Sequence, residues 1–482
     1  MLLKRFFAAF LAVFILSLAG CAYIQTQVKH YKGIEEDFSS RFYSGAAEKI
    51  EKAKNEGKYE GKDKVLYYLD MGIALHFAGR YEESNQFLDK AEIAIEENFT
   101  RSISKMMISF LLNDNVLDYA GEDHEDIFIN IIKNLNYIHL KDKEDAMVEI
   151  RRTNLKLNRL QDKYGIMAEK LGESKKLKES EAEFSFTPGE INLRYSVTGT
   201  YLSMLGYKSM GKWDDVKIDR IKLIEASSGR LENFSAEVLS PVAENTAPVY
   251  TLCFAGKSPV KIQSTLLLDY DPDLDMARVM LPGKKNTEIN SFKYKGDSEL
   301  HLKFAVPEIV RRKSRIRHIR TLVNGQALGE LYPLEDFGYI AEETFKVKKP
   351  LIYLRAALRT LIKATIDAKA KEGIDKKYED KEGEEEDKEE GEEVKERGKN
   401  KFMAGLLKFA VDAVTDITEN ADLRCWRTMP GRVYAGKIDL PPGEYEITFE
   451  YSDERGNVVD LEKKIVFIDK NDMNLIEGVS YR

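Results

Sequence analysis

The sequence predicts an α+β protein in which an N-terminal array of helical repeats is followed by a β-rich module that a helical hairpin interrupts. Three observations predict it. Apolar residues recur at helical spacing between residues 39 and 225, they alternate in short runs from Pro248 onward, and two further helical stripes separate the two sets of runs. The 482 residues are enough for several proper cores. With 82 acidic residues against 74 basic ones, the net charge is -8, which argues against a nucleic-acid partner.

Lys4 and Arg5 precede an apolar run from Phe6 to Leu18, which ends in Leu18-Ala19-Gly20-Cys21. The run is too short for a membrane span and gives residues 1–20 the proportions of a signal peptide. Its last four residues resemble the bacterial lipobox, in which small residues precede a cysteine that becomes diacylated. Cleavage between Gly20 and Cys21 would make Cys21 the acylated first mature residue, and several chains hold a membrane where one holds only marginally. Ala22 follows, not the aspartate typical of inner-membrane retention. The expected location is therefore the outer membrane with the body facing the periplasm, or the cell membrane where there is only one. Residues 21–38 read as a tether.

Residues 39–225 read as the helical domain. Its clearest unit is Val65 to Glu97, where Tyr68, Met71, Gly72 and Leu75 share one helix face and Ser84, Phe87, Leu88 and Ala91 share the next. Gly79 marks the turn. Small residues at 72, 84 and 91 with large ones between them are the tetratricopeptide-like pattern. Tyr43 to Ala53 matches half a unit, Arg101 to Tyr119 an apolar helix, and Asp126 to Leu160 and Tyr195 to Glu225 two looser units; Gly165 to Ser185 reads as a loop or exposed helix end.

Residues 226–350 and 421–482 read as two parts of a β-sandwich-like module. Val249 to Phe254, Val260 to Tyr270, Leu300 to Val306 and a basic run from Arg311 to Val323 form the first; Gly431 to Leu440, Tyr445 to Tyr451 and Val458 to Ile468 form the second. Residues 351–420 hold the hairpin. One stripe is Leu351, Leu354, Leu358, Leu361, Ile362 and Ile366; the other runs from Phe402 to Ile417. Between them, residues 371–401 carry almost no apolar side chain and are expected to be disordered or a solvated helix extension. The first stripe either packs on the module, the usual fate of such a face, or lies on a membrane surface beside Arg355, Arg359 and Lys363.

Several runs together carry a family resemblance: Gly72, Gly79 and Tyr81 to Asn85; Asp145-Ala146 with Glu149, Arg151 and Arg152; Gly256 to Lys261; Ile340-Ala341; Arg355 to Arg359; and above all ADLRCWRTMP, Ala421 to Pro430. In this order they resemble a family of largely uncharacterised bacterial lipoproteins. The resemblance implies a lipobox, tetratricopeptide-like helices and a β-rich C-terminal half. It is similar to envelope lipoproteins that assist cell-wall or outer-membrane assembly, and it implies no activity.

No catalytic motif is complete. Gly256-Lys257-Ser258 lacks the earlier glycine of a phosphate loop, where Thr251 stands, and Ser102-Ile103-Ser104-Lys105 lacks the motifs that accompany it in penicillin-recognising enzymes. The six histidines form no HExxH, and Asp123, Glu125 and Asp126 lack the spaced glycine of a calcium loop. Neither a cofactor nor a metal is expected. Cys253 and Cys425 could pair in an oxidising periplasm but read more simply as two buried thiols, with Trp426, Arg424 and Arg427 forming a cation–aromatic knot beside Cys425.

Two binding surfaces are expected. On the concave face of the array, Tyr67, His76, Asn85, Asn134, Asn136, Arg151, Arg152 and Asn154 could clamp an extended peptide; the two arginines could equally be a solvated face. In the basic run, Arg311, Arg312, Lys313, Arg315, Arg317, His318 and Arg320 could hold anionic lipid or glycan phosphate, or protect an edge strand by charge. The function expected is a non-catalytic, membrane-anchored scaffold for an envelope protein, in cell-envelope assembly or maintenance. The alternatives are a binder of cell-wall glycan or anionic lipid through the β half, and an envelope enzyme with an unrecognised site.

Overall fold

The computed structural model describes residues 31–108, 117–173, 183, 188–283, 287–295, 299–383 and 421–482. Gly20, Cys21, the acidic run at Glu384 and the second apolar stripe lie outside these residues. The class is α+β.

Four helical hairpins open the chain: α1 (residues 31–39) with α2 (Tyr43–Asn55), α3 (Lys64–Phe77) with α4 (Tyr81–Ile108), α5 (Asp123–His139) with α6 (Lys143–Asn158), and α8 (Val197–Ser209) with α9 (Trp213–Ala226). Helix α7 (Leu160–Gly172) lies between the third and fourth, and α10 (Glu232–Leu239) follows α9. All four hairpins use one turn. Its third residue has positive φ (Arg41, Gly79, Lys141 and Gly211), and the next amide donates back to a carbonyl five residues earlier, as Arg80 does to Leu75 and Lys212 to Tyr207. Within a hairpin the helices touch closely: a Cβ on Gly72 would stand 2.4 Å from Leu88 Cδ2, and Ser84 Oγ donates to the Gly72 carbonyl at 2.7 Å.

The boundaries differ from expectation in three places. Residues 31–38 are helix rather than tether, because Tyr31, Ile34 and Phe38 bury one face against the core. Helix α4 runs on to Ile108, so Arg101 does not begin a new helix. Helix α7 runs to Gly172, so the stretch expected as a loop or exposed helix end does begin in a helix, but one that buries Ala168 and Leu171 along with Tyr164.

The strands are β1 (Ala247–Lys257), β2 (Val260–Asp271), β3 (Met276–Leu281), β4 (Thr287–Lys293), β5 (Leu300–Val310), β6 (His318–Val323), β7 (Gln326–Glu330), β8 (Tyr332–Asp336), β9 (Pro430–Leu440), β10 (Gly443–Ser452), β11 (Val458–Ile468) and β12 (Asn474–Ser480). Among the described residues they form three sheets. Sheet I has the order β12-β1-β9-β8, sheet II β11-β10-β6-β7, and sheet III β4-β3-β2-β5. The β1–β12 pairing is parallel and the rest antiparallel. The basic run is not one strand: residues 311–317 are irregular and only His318–Val323 pair.

Sheet I is buried on both faces. Tyr250, Leu252, Phe254, Val433, Leu475 and Val479 pack on the helices, while Val249, Cys253, Tyr434 and Ile476 pack on Ile319, Ile447 and Phe449 of sheet II. Cys253 and Cys425 are both buried and unpaired. Sheet III has its own core with α7 and α11 (Phe337–Gly383). Helix α11 begins 14 residues before Leu351 and passes through Pro350. Proline removes an amide and crowds the carbonyl four residues back. Here the chain at Gly189 approaches so closely that a Cβ would stand 2.1 Å from the Lys346 oxygen, and the Gly189 amide donates to the Val347 carbonyl at 3.2 Å. Leu351, Leu354, Leu358, Leu361 and Ile362 are buried in this core, so that stripe packs inward and only Ile366 is exposed.

Because one apolar core joins α1–α6 and α8–α10 to sheet I, these helices and strands are expected to unfold together. Phe254→Ala removes a ring seated between Phe77 and Phe128 and should cost about 3–5 kcal/mol. The check is urea unfolding followed in parallel by far-UV ellipticity and tryptophan fluorescence. Two separated transitions in the parent protein would contradict the shared core.

Candidate functional site

The helix face expected to bind a partner is covered by the protein's own sheet. Odd-numbered residues of β12 face the helices, which brings Glu477 between two imidazoles: His76 Nε2 lies 3.0 Å from Glu477 Oε2 and His139 Nε2 lies 2.5 Å from Oε1. Tyr81 stacks on His139 at 4.5 Å. His76 Nδ1 meets Asn136 Oδ1 at 2.7 Å, and the Asn136 amide donates to Ser84 Oγ and Asn85 Oδ1. Burial pushes Glu477 upward, and the two histidines outweigh it, holding the carboxyl well below the usual range.

This corrects the expected peptide clamp. His76, Asn85 and Asn136 belong to the buried network above. Tyr67 is buried and donates to Glu51, and Asn134 is buried and donates to the Ala146 carbonyl. Asn154 is half-buried; Arg151 and Arg152 are exposed, the latter paired with Glu149. A polar side chain on a repeat helix looks available until a strand from 400 residues away covers it.

The basic run is dispersed as well. Arg311 pairs with Glu342, and Arg312 donates to Ser258 O and Arg427 O while meeting Glu35 at 3.1 Å. His318 meets Glu330 and Arg320 pairs with Glu450. Lys313 and Arg315 are exposed, and Arg317 donates to the carbonyls of Ser314 and Ile316. These cations do not share one strand face.

The run ADLRCWRTMP instead proves to be a seam between helices and sheet. Arg424 pairs with Asp63 and Asp422 and stacks on Tyr119; Arg427 lies over Tyr31. The expected knot therefore uses tyrosines, and Trp426 packs on Phe128. The Trp426 amide donates to Glu125 Oε1 at 2.5 Å, and Thr428 Oγ1 donates to Asp70 Oδ1 at 2.6 Å. Asp70 also accepts from the hydroxyls of Tyr31 and Tyr59. Burial raises Asp70 to about 6 although these hydroxyls lower it. Burial, with Glu122 adding to it, raises Glu125 to about 7.

Beside this seam a cavity of about 160 Å³ opens between α7, α11 and sheet III. Lys261 and Lys348 both clasp Glu122, at 2.7 and 2.6 Å, while Lys163 and the Tyr164 hydroxyl hold Asp123. Burial would raise Glu122, but the two lysines bring it down to about 2. Lys261 was missed as a site residue although β2 carries a signal for it: Lys261 points inward while its neighbour Ile262 is exposed, the reverse of ordinary alternation. These charges hold α5 against β2 and α11. Among the described residues no three His, Cys, Asp or Glu side chains converge as metal ligands, and no helix is long and apolar enough to cross a membrane.

The buried groups predict a pH profile. Between the unfolded values, near 4, and about 6 to 7, folded Asp70 and Glu125 each retain a proton that the unfolded chain has released. Their contribution is complete below that window and is lost as pH rises through it. His124, which burial lowers to about 4, acts in the opposite sense between 4 and its ordinary 6.5. Glu335, which burial also raises, acts in the same sense as Asp70 and Glu125, so the raised carboxyls outnumber the histidine and stability should fall as pH rises from 5 to 6. Asp70→Asn should make that fall shallower, and thermal melts from pH 5 to 8 would reveal a wrong sign at once. No family model matches this chain, and no curated protein or solved structure matches it either.

Proposed function

We propose that the chain is a non-catalytic scaffold of the bacterial envelope, acylated at Cys21, held at the outer membrane and facing the periplasm, where it binds a protein partner. In this reading the four hairpins are a tetratricopeptide-like array and sheets I and II a β-sandwich-like module, and the resemblance of the sequence to envelope lipoproteins supports a part in envelope assembly or maintenance. Since sheet I covers the helix face expected to bind a partner, the partner docks at the end of the array.

The observation that carries this is the outer face of α9. Trp213, Ile218 and Ile221 are 52%, 50% and 65% exposed, and helical spacing sets them on one side of the helix. The opposite side buries Val216, Asp219 and Leu223. A terminal repeat normally ends in a polar face to remain soluble; here three large apolar side chains stand exposed among charged neighbours that include the Asp214–Lys217 pair, and exposed apolar side chains gathered on one element mark a protein interface.

The test uses full-length protein in intact cells. A photo-crosslinking side chain at position 221 should capture a defined protein, and Trp213→Ser with Ile218→Ser should lower that yield about tenfold or more. The parent should incorporate labelled palmitate and Cys21→Ser should not. Equal capture by the serine variant would remove α9 as the docking face, and equal palmitate labelling of Cys21→Ser would remove the anchor.

A further inference from the structure

Sheet I ends on β8, which has β9 on one side and no strand among the described residues on the other. A cleft of about 520 Å³ runs along that edge. Three arginines from distant parts of the chain line it: Arg230 after α9, Arg317 ahead of β6, and Arg432 in β9. Arg230 donates to the carbonyls of Pro333 and Leu334 at 3.2 and 3.5 Å. Pro333 faces Tyr434 across the β8–β9 ladder, and the charges of Arg432 and Arg317 both act on the Tyr434 hydroxyl.

Their neutralisation is unequal. Arg432 meets Asp336 at 3.1 Å. Arg230 and Arg317 are exposed and, among the described residues, donate only to main-chain carbonyls. A carbonyl occupies an N–H without cancelling the charge, and a guanidinium cannot shed it. Glu335, in the same wall, is buried and committed to Ser196 Oγ and the amides of Val197 and Thr198 at the start of α8. The remaining wall is mixed: Asn192, Ser227 and Ser228 are polar, and Leu193, Ile340 and the half-exposed ring of Tyr339 are apolar.

We propose that this cleft binds a phosphate monoester, with the phosphoryl oxygens shared between the Arg230 and Arg317 forks and the organic part against Tyr339 and Ile340. Two uncompensated guanidinium groups match a dianion with three acceptor oxygens better than a single carboxylate. The site is independent of the scaffold reading, since it uses no residue of the α9 face.

The test is calorimetry on the full-length protein with phenyl phosphate, inorganic phosphate and vesicles of phosphatidylcholine with or without phosphatidic acid. Phenyl phosphate should bind more tightly than inorganic phosphate, and Arg230→Gln or Arg317→Gln should each weaken it about tenfold. Arg230→Lys and Arg317→Lys, which keep the charge and lose the fork, should fall between, and Arg320→Gln should bind as the parent does. Binding to phosphatidic acid vesicles alone, weakened by the same variants, would assign the phosphate to a lipid. Failure of every probe at millimolar concentration would overturn the site. So would unchanged affinity in a Gln double variant whose unfolding midpoint shows it to be folded.

Discussion

Sheet I has no solvent face, and the rest of the architecture follows from that. A strand buried on both sides needs an apolar partner above and below it and a pairing for every polar atom it carries. Helices α1–α6 and α8–α10 cover one side of β1, β9 and β12, and sheet II covers the other. The strands come from positions 247, 430 and 474, so the sheet closes only when the C-terminal end of the chain arrives. The helical array is thus not a free-standing adaptor but one wall of a common core.

The same constraint accounts for the buried charges. Glu477 enters the array because β12 must alternate, and two histidines and a chain of amides receive it. Glu125 and Asp70 hold the main chain and hydroxyl of Trp426 and Thr428, which lie where helices meet sheet. Desolvating such groups consumes much of what their pairing contributes, while removing one partner leaves a buried orphan costing several kcal/mol, of order 3–5 for a charge. They therefore define how the layers meet more than how strongly they adhere.

With the inner faces of the helices and of sheet I covered, the two binding surfaces proposed above lie at the periphery. The outer face of α9 ends the series of helical hairpins, and β8 is an edge of sheet I with, among the described residues, a strand on one side alone. Ends of arrays and edges of sheets present groups that the interior of each would have satisfied.

Much of this was legible in the chain. The hairpins at 64–108, 123–158 and 197–226 follow their apolar spacing and turn residues, and β1, β2, β10 and β11 follow their alternation. Strand β12 was not legible, since Asn474 to Ser480 contains a carboxylate and a glycine where a buried strand is expected to be apolar. The gathering of Arg230, Arg317 and Arg432 had no local signal at all. Periodicity reports on neighbours within one or two turns, so the sequence by itself determined which segments are helix or strand and which faces want burial. Whether His76 or Asn136 meets water or Glu477 depends on a strand hundreds of residues away, and only the packing of that strand decided it.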